Sequence, residues 1–171
     1  MCSGNGTNFE NILRTCNKDD VVVMITNKKK CGAIKRAGKF GIPHCYVNHN
    51  NEDQMVKLFE SWRVDLIVLA GYMRVIKNPD VFPAPMINIH PSLLPKYKGL
   101  NAIEQALDSG DSVTGCTVHY VTEELDGGTI IKQQEVPILP DDTLESLTKA
   151  IQRIEYGLLP SVINSWQSTT I

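Results

Sequence analysis

The sequence predicts an α/β domain with a mostly parallel sheet, finished at its C-terminal end by a β-hairpin and a helix. Three observations carry that prediction. Short apolar runs, "VVVMIT" at 21–26, "VDLIVLAG" at 64–71 and "MINIH" at 86–90, read as buried strands. Stretches with apolar residues three and four apart separate them. From residue 114 the pattern changes to two strand-like runs joined by a turn around "ELDGG".

Taken in order, "SGNGTN" (3–8) is a glycine turn leading into a helix that begins near Asn8. "VVVMIT" is bounded by Asp and Asn, and "CGAIKRAGKFGI" has helical spacing before a glycine and Pro43. "HCYVN" is the next strand. "NEDQMVKLFESW" opens on Asn and acidic residues and then places Met55, Leu58, Phe59 and Trp62 on one helical face. "VDLIVLAG" and "MINIH" follow as strands, and "NAIEQALDSG" as a short helix stopped by glycine. The closing helix, "DDTLESLTKAIQRIEYGLLPSVINSW", is expected to be capped by Asp142 or Asp141. No repeat or low-complexity linker interrupts the 171 residues, so one domain over 1–171 is expected.

Composition narrows the function. Apolar residues make up 42% and charged residues 21%, with a formal charge of −2, which gives no electrostatic footprint for nucleic acid. The cluster "NKKK" at 27–30 reads as a solvated loop. No apolar run approaches the ~18 residues of a membrane span, and "MCSGNGTNFE" lacks signal-peptide character. Cys2, Cys16, Cys31, Cys45 and Cys116 form no CxxC pair and fit reduced thiols in a cytoplasmic protein. The four histidines show no HExxH spacing, so no metal is expected.

Four stretches could carry chemistry. In "SGNGTN" two glycines would let backbone approach an anion at a helix N-terminus. It is no Walker loop, and Phe9 stands where a third glycine of GxGxxG would be; a plain glycine turn is equally open. "GYMRVI" (71–76) ends a buried strand and reads either as pocket lining or as loop covering the core. In "NIHPSLLP", Asn88 and His90 project to one face of a strand that Pro91 stops, at the sheet edge where α/β proteins bind ligands. A capping amide with a buried histidine is the other reading. In "EELDGG", Asp126 is either a locally bonded turn residue or the carboxylate that orients an imidazole. Together an amide, an imidazole and a carboxylate can stabilise an oxyanion and manage a proton. His119, mid-strand in "TVHYV", reads as structural.

With "SGNGTN", "LAGYMRVI", "NIHPSLLPKYKG", "VHYVTEELDGG" and "QRIEYGLLP" in that order, the chain from Ser3 to about Trp166 resembles the phosphoribosylglycinamide formyltransferases. These belong to the folate-dependent formyltransferases of one-carbon metabolism and purine biosynthesis. The resemblance implies a doubly wound, Rossmann-like formyltransferase fold. It also implies a cytoplasmic transferase that moves a formyl group from 10-formyltetrahydrofolate, as co-substrate, to the amine of glycinamide ribonucleotide. It places the catalytic residues at Asn88, His90 and Asp126, and the substrate-phosphate loop at Gly6, Thr7 and Asn8. Glu155 falls on the ribose-binding position. Met73, Arg74, Val75 and Ile76, with Asn88, fall on the folate site. Small-molecule partners, no nucleic acid, no membrane, no metal and a monomer or weak homodimer are the matching expectations.

Where the family carries an arginine associated with the folate's glutamate tail, this chain has the acidic "HNNEDQM". A formyltetrahydrofolate deformylase, a methionyl-tRNA formyltransferase domain and a non-catalytic folate- or nucleotide-binding module are the rival readings. A nicotinamide-dependent dehydrogenase fails for want of the third glycine and of a ribose-binding acid near "ITNK". Only Met1 and Cys2 precede Ser3, too few for the apolar strand expected there, so the first strand is expected to be missing and the functional chain to extend upstream by roughly one short strand.

Overall fold

The computed structural model describes residues 1–167, and the chain divides into two compact units, Met1–Asn88 and a second beginning at Ile89. The first contains α1 (Thr7–Thr15), β1 (Met24–Thr26), α2 (Gly32–Phe40), β2 (His44–Tyr46), α3 (Glu52–Ser61) and β3 (Ile67–Leu69). Strand β4 (Met86–His90) begins in the first unit and ends in the second. The second continues with α4 (Ala102–Asp108), β5 (Val113–Tyr120), β6 (Ile130–Pro137) and α5 (Leu144–Gln167). Strands β1 and β2 pair in parallel, with Ile25 opposite Cys45. Strands β3 and β4 do the same, with Val68 opposite Ile87 and Leu69 opposite Asn88. The expected hairpin is β5–β6, antiparallel, with Cys116 opposite Gln134. The fold class is therefore the mixed α/β one, mostly parallel with an antiparallel hairpin.

Two strands are shorter than their apolar runs. Ladder bonding begins only where Met24 donates its N–H to the Pro43 carbonyl (2.9 Å), so Val21–Val23 stay half-buried outside β1. Val64 donates to the Phe59 carbonyl (3.3 Å), which commits it to the end of α3 rather than to β3. The three residues ahead of Gly4 form no full strand, yet they lie extended between β1 and β3. Cys2 N–H donates to the Ile25 carbonyl, Ala70 N–H to the Met1 carbonyl and Ser3 N–H to the Gly71 carbonyl, each at 3.0 Å. A parallel bridge joins Cys2 to Thr26.

The cap of α5 differs from expectation. Thr143, not Asp142 or Asp141, accepts at its Oγ1 from the Ser146 N–H (3.1 Å), while Ser146 Oγ accepts from the Thr143 N–H (2.9 Å). This is a reciprocal capping box with serine in the glutamate's place. Asp142 instead braces the turn, accepting from Leu139 N–H and Ser146 Oγ. Leu147, Ile151, Leu158, Leu159 and Val162 form the buried stripe of α5, and Ala102 and Ala106 that of α4. In the first unit Met55 and Phe59 are the buried face of α3, with the Phe59 and Phe82 rings 6.2 Å apart. Each of the buried Leu, Ile, Val, Met and Phe side chains contributes about 1.5–3 kcal/mol, the alanines less.

Candidate active site

The second unit assembles a buried carboxylate between two imidazoles. His90 closes β4 and is 5% exposed. Its Nδ1 lies 3.4 Å from Asp126 Oδ2, and its Nε2 lies 2.7 Å from the Tyr97 carbonyl. His119, in β5, brings Nε2 to 3.5 Å from Asp126 Oδ1, while its Nδ1 lies 2.9 Å from the Tyr120 carbonyl. Gly99 donates its N–H to Asp126 Oδ2 (2.8 Å). Both nitrogens of each ring thus face an oxygen acceptor. Burial alone would raise the Asp126 carboxyl's pKa. The hydrogen bonds from His119 and Gly99, with the charges of His90 and His119, outweigh it and hold the group below the ordinary carboxylate range.

Turn geometry puts the carboxylate there. Asp126 is left-handed (φ 49°), a conformation that Asp tolerates better than most residues. Gly128 follows where a Cβ would stand 1.9 Å from the Tyr120 carbonyl oxygen, so no other residue fits that approach. The hairpin register slips between Val118 and His119, so that Val118 faces Lys132 and His119 faces Ile130. Such an irregularity re-aims side chains near functional sites.

Asn88 sits two residues before His90 on β4, half-buried, its side chain on the same strand face. Glu155 is buried on α5, 8% exposed. Burial and the Glu155 charge push the Cys116 thiol up to about 12.

In the first unit, Gly6 is the left-handed residue at the start of α1 (φ 73°), and a Cβ there would meet Ala33 at 2.8 Å. Thr7 is exposed and Asn8 half-buried in the first turn. This loop is joined to the segment after β3 through Ser3. The Ser3 Oγ accepts from Met73 N–H (2.9 Å) and donates to Asn27 Oδ1 (2.5 Å). Met73, Arg74 and Val75 are exposed while Ile76 is buried. The far end of that segment is held by Glu52, whose Oε1 and Oε2 accept from the N–H groups of Lys77 (2.7 Å) and Asn78 (3.2 Å). The acidic stretch that stands where the family's arginine was expected therefore has a structural use here. Tyr72, buried with an unpartnered hydroxyl, is pushed up to about 12 by burial and the Glu52 charge, against Arg74.

The structure thus brings His90 and Asp126 into contact, and it joins the loop at Gly6–Asn8 to Met73–Ile76 through Ser3. It adds participants the sequence reading did not single out. The Tyr97 carbonyl and Gly99 N–H are backbone groups that no residue type announces. His119, expected from the sequence to be a structural mid-strand histidine, faces Asp126, because the register slip at Val118/His119 lies close to the turn that carries that carboxylate. Among the described residues no cluster of His, Cys, Asp and Glu is placed to hold a metal ion, and no helix is long and apolar enough to cross a membrane.

The formyl transferase family model matches residues 1–163. The phosphoribosylglycinamide formyltransferase of Haemophilus influenzae is 39% identical over 95% of this chain and 83% of that protein. The trifunctional purine biosynthetic protein adenosine-3 of Bos taurus is 37% identical over 95% of this chain, which spans only 17% of that much longer protein. The crystal structure of phosphoribosylglycinamide formyltransferase from Bacillus halodurans superposes with a TM-score of 0.91 at 36% identity, covering 99% of this chain and 94% of that one.

Proposed function

We propose, from the premise that this chain belongs to the formyl transferase family, that it transfers the formyl group of 10-formyltetrahydrofolate to the primary amine of glycinamide ribonucleotide in purine biosynthesis. The observation that carries this reading is the buried His90–Asp126 pair, held by the Gly99 N–H at the end of the strand that also bears Asn88. That is the donor-and-carboxylate set the chemistry needs, in a chain similar to enzymes of that name.

The amine's lone pair attacks the formyl carbon, and the carbonyl π pair moves to oxygen. The Asn88 amide and a His90 N–H donate to that oxyanion. Nδ1 is the nitrogen free to do so, because its 3.4 Å contact with Asp126 is longer than a good hydrogen bond, whereas Nε2 is held at 2.7 Å by Tyr97. Asp126 balances the imidazolium and, through a water, relays the ammonium proton to the departing folate nitrogen. The carbonyl re-forms as the bond to that nitrogen breaks, leaving the acceptor's amine as a formamide and releasing tetrahydrofolate.

Met73–Ile76, with Asn88, bind the pterin end of the folate. The exposed Met73 and Val75 offer apolar contact, and the segment's backbone is pinned at both ends by Ser3 and Glu52. Gly6, Thr7 and Asn8 bind the acceptor's phosphate at the N-terminus of α1, and Glu155 binds its ribose hydroxyls. The enzyme works in the cytoplasm on small molecules, as a monomer or weak homodimer. A formyl-transfer assay with glycinamide ribonucleotide, run beside a control lacking acceptor, tests the proposal. Folate consumption only with acceptor is the expected result; equal consumption without it would identify a hydrolase.

A further inference from the structure

The side chains of the stretch "KYKG" at 96–99, directly after "HPSLLP", take no part in the chemistry above, while its backbone touches both acid–base partners. The Tyr97 carbonyl accepts from His90 Nε2 (2.7 Å), and the Gly99 N–H donates to Asp126 Oδ2 (2.8 Å). Tyr97 and Gly99 are both left-handed, at φ 55° and φ 80°. For tyrosine that conformation is unfavourable and persists only where the surroundings hold it. What holds it is on the side-chain end of the same residue. The Tyr97 hydroxyl meets Asp111 Oδ2 at 2.5 Å and Ser109 Oγ at 2.8 Å, and Lys96 Nζ meets the same Asp111 oxygen at 2.6 Å.

We propose that Tyr97 and Asp111 are positioning residues for formyl transfer, anchoring the 96–99 loop so that its backbone fixes the ring of His90 and the carboxylate of Asp126; this rests on the catalytic assignment of those two residues. The first half of the loop has its own support, independent of Asp111. Thr117 Oγ1 donates to the Ser92 carbonyl (2.7 Å) and accepts from Leu94 N–H (3.1 Å), and Ser92 Oγ donates to the Lys96 carbonyl (2.5 Å). Beyond Lys96 the ties include the Tyr97 hydroxyl on Asp111 and Ser109, the Tyr97 carbonyl on His90, the Lys98–Glu124 ion pair (2.7 Å) at the Asp126 turn, and the Gly99 bond. Glu124 is 70% exposed, so water weakens that pair. Lys96 is 59% exposed, so its pair with Asp111 is screened too, and what Asp111 adds is the bond from the Tyr97 hydroxyl. Hydrogen bonds from Lys96 and Tyr97 hold its carboxyl below the ordinary range, so it stays charged wherever the enzyme works.

The test compares Tyr97→Phe, Asp111→Asn and His90→Ala in the full chain. Its readouts are kcat, both KM values, thermal midpoint and the 15N shifts of the His90 ring nitrogens. Tyr97→Phe keeps the backbone carbonyl but loses both side-chain bonds. A misplaced catalytic group of this kind is expected to lower kcat by about tenfold with both KM values nearly unchanged, and to shift the His90 Nε2 signal. Asp111→Asn should do less, because its amide oxygen still accepts from the Tyr97 hydroxyl. If Tyr97→Phe leaves kcat and the ring signals as in the parent while His90→Ala is inactive, the anchor is refuted and the catalytic assignment stands. A fall in kcat that follows a lowered melting point, with the ring signals unmoved, also refutes it. Full activity in His90→Ala refutes the catalytic assignment instead, and the Nε2 signal of Tyr97→Phe then decides the anchor alone.

Discussion

At the scale of single residues, the shared carboxylate of Asp126 leads to two expectations. Removing one preorganised donor to a developing oxyanion costs about 10²–10³ in kcat. Asn88→Ala and His90→Ala should each lose that much, and Asp126→Ala a comparable amount. Because the three would act as a unit, double variants should lose far less than the product of the singles, which steady-state kinetics on the set will show. The second expectation concerns pH. The Asp126 carboxyl lies below its ordinary range in the folded chain, so the unfolded chain binds its proton first as pH falls. The stabilisation is complete above the unfolded value of about 4 and is lost as pH drops through the folded value. Melting temperatures from pH 6 downward should therefore fall less steeply below pH 4 in Asp126→Asn than in the parent. Parallel curves would show that the carboxylate is not specially held. Asn88 and His90 were conspicuous as polar residues at the end of an apolar strand, and Asp126 as a carboxylate in a glycine-containing turn. Tyr97 and Gly99 were not, because they act through backbone groups set by a left-handed loop.

Elements were legible where burial is uniform and less so where hydrogen bonding decides their ends. The apolar runs located β1 and β3, but the strands stop where the neighbouring backbone stops offering partners, as at Val64. Helix α5 shows the same limit. Two aspartates precede it, yet the threonine one step later makes the cap. Thr143→Ala should therefore destabilise the protein by about 1 kcal/mol, a fall of about 2–4 °C in melting temperature. Asp141→Ala, by contrast, should leave it nearly unchanged, and equal losses at the two positions would contradict the assignment. Glu52 gives a second test at this scale. Its carboxylate receives the N–H groups of Lys77 and Asn78, which lead into the short 3-10 turn at Pro79–Val81. In Glu52→Ala those two amides should exchange with solvent markedly faster than in the parent while the α3 interior keeps its protection. Unchanged exchange at Lys77 and Asn78 would mean that the loop is held by other contacts.

The scale of the whole molecule raises the matter of one folding unit or two. Composition and the lack of a linker led to an expectation of one domain, whereas the chain divides by compactness after Asn88. That boundary falls inside a strand. Met86, Ile87 and Asn88 pair with β3, and Ile89 and His90 complete the same strand in the second unit. Independent domains are ordinarily separated by exposed linkers, and Ile89 and His90 are instead buried. Unravelling either unit would fray β4 and expose its apolar residues, so the two are expected to unfold together. The chain carries a tryptophan in each unit, Trp62 after α3 and Trp166 near the end of α5. Two variants, Trp62→Phe and Trp166→Phe, each leave one reporter. Urea titrations of the pair, corrected for any shift in stability seen by circular dichroism, should give fluorescence midpoints that coincide with the loss of helix, as all-or-none unfolding requires. Midpoints that separate between Trp62 and Trp166 would make the units independent domains.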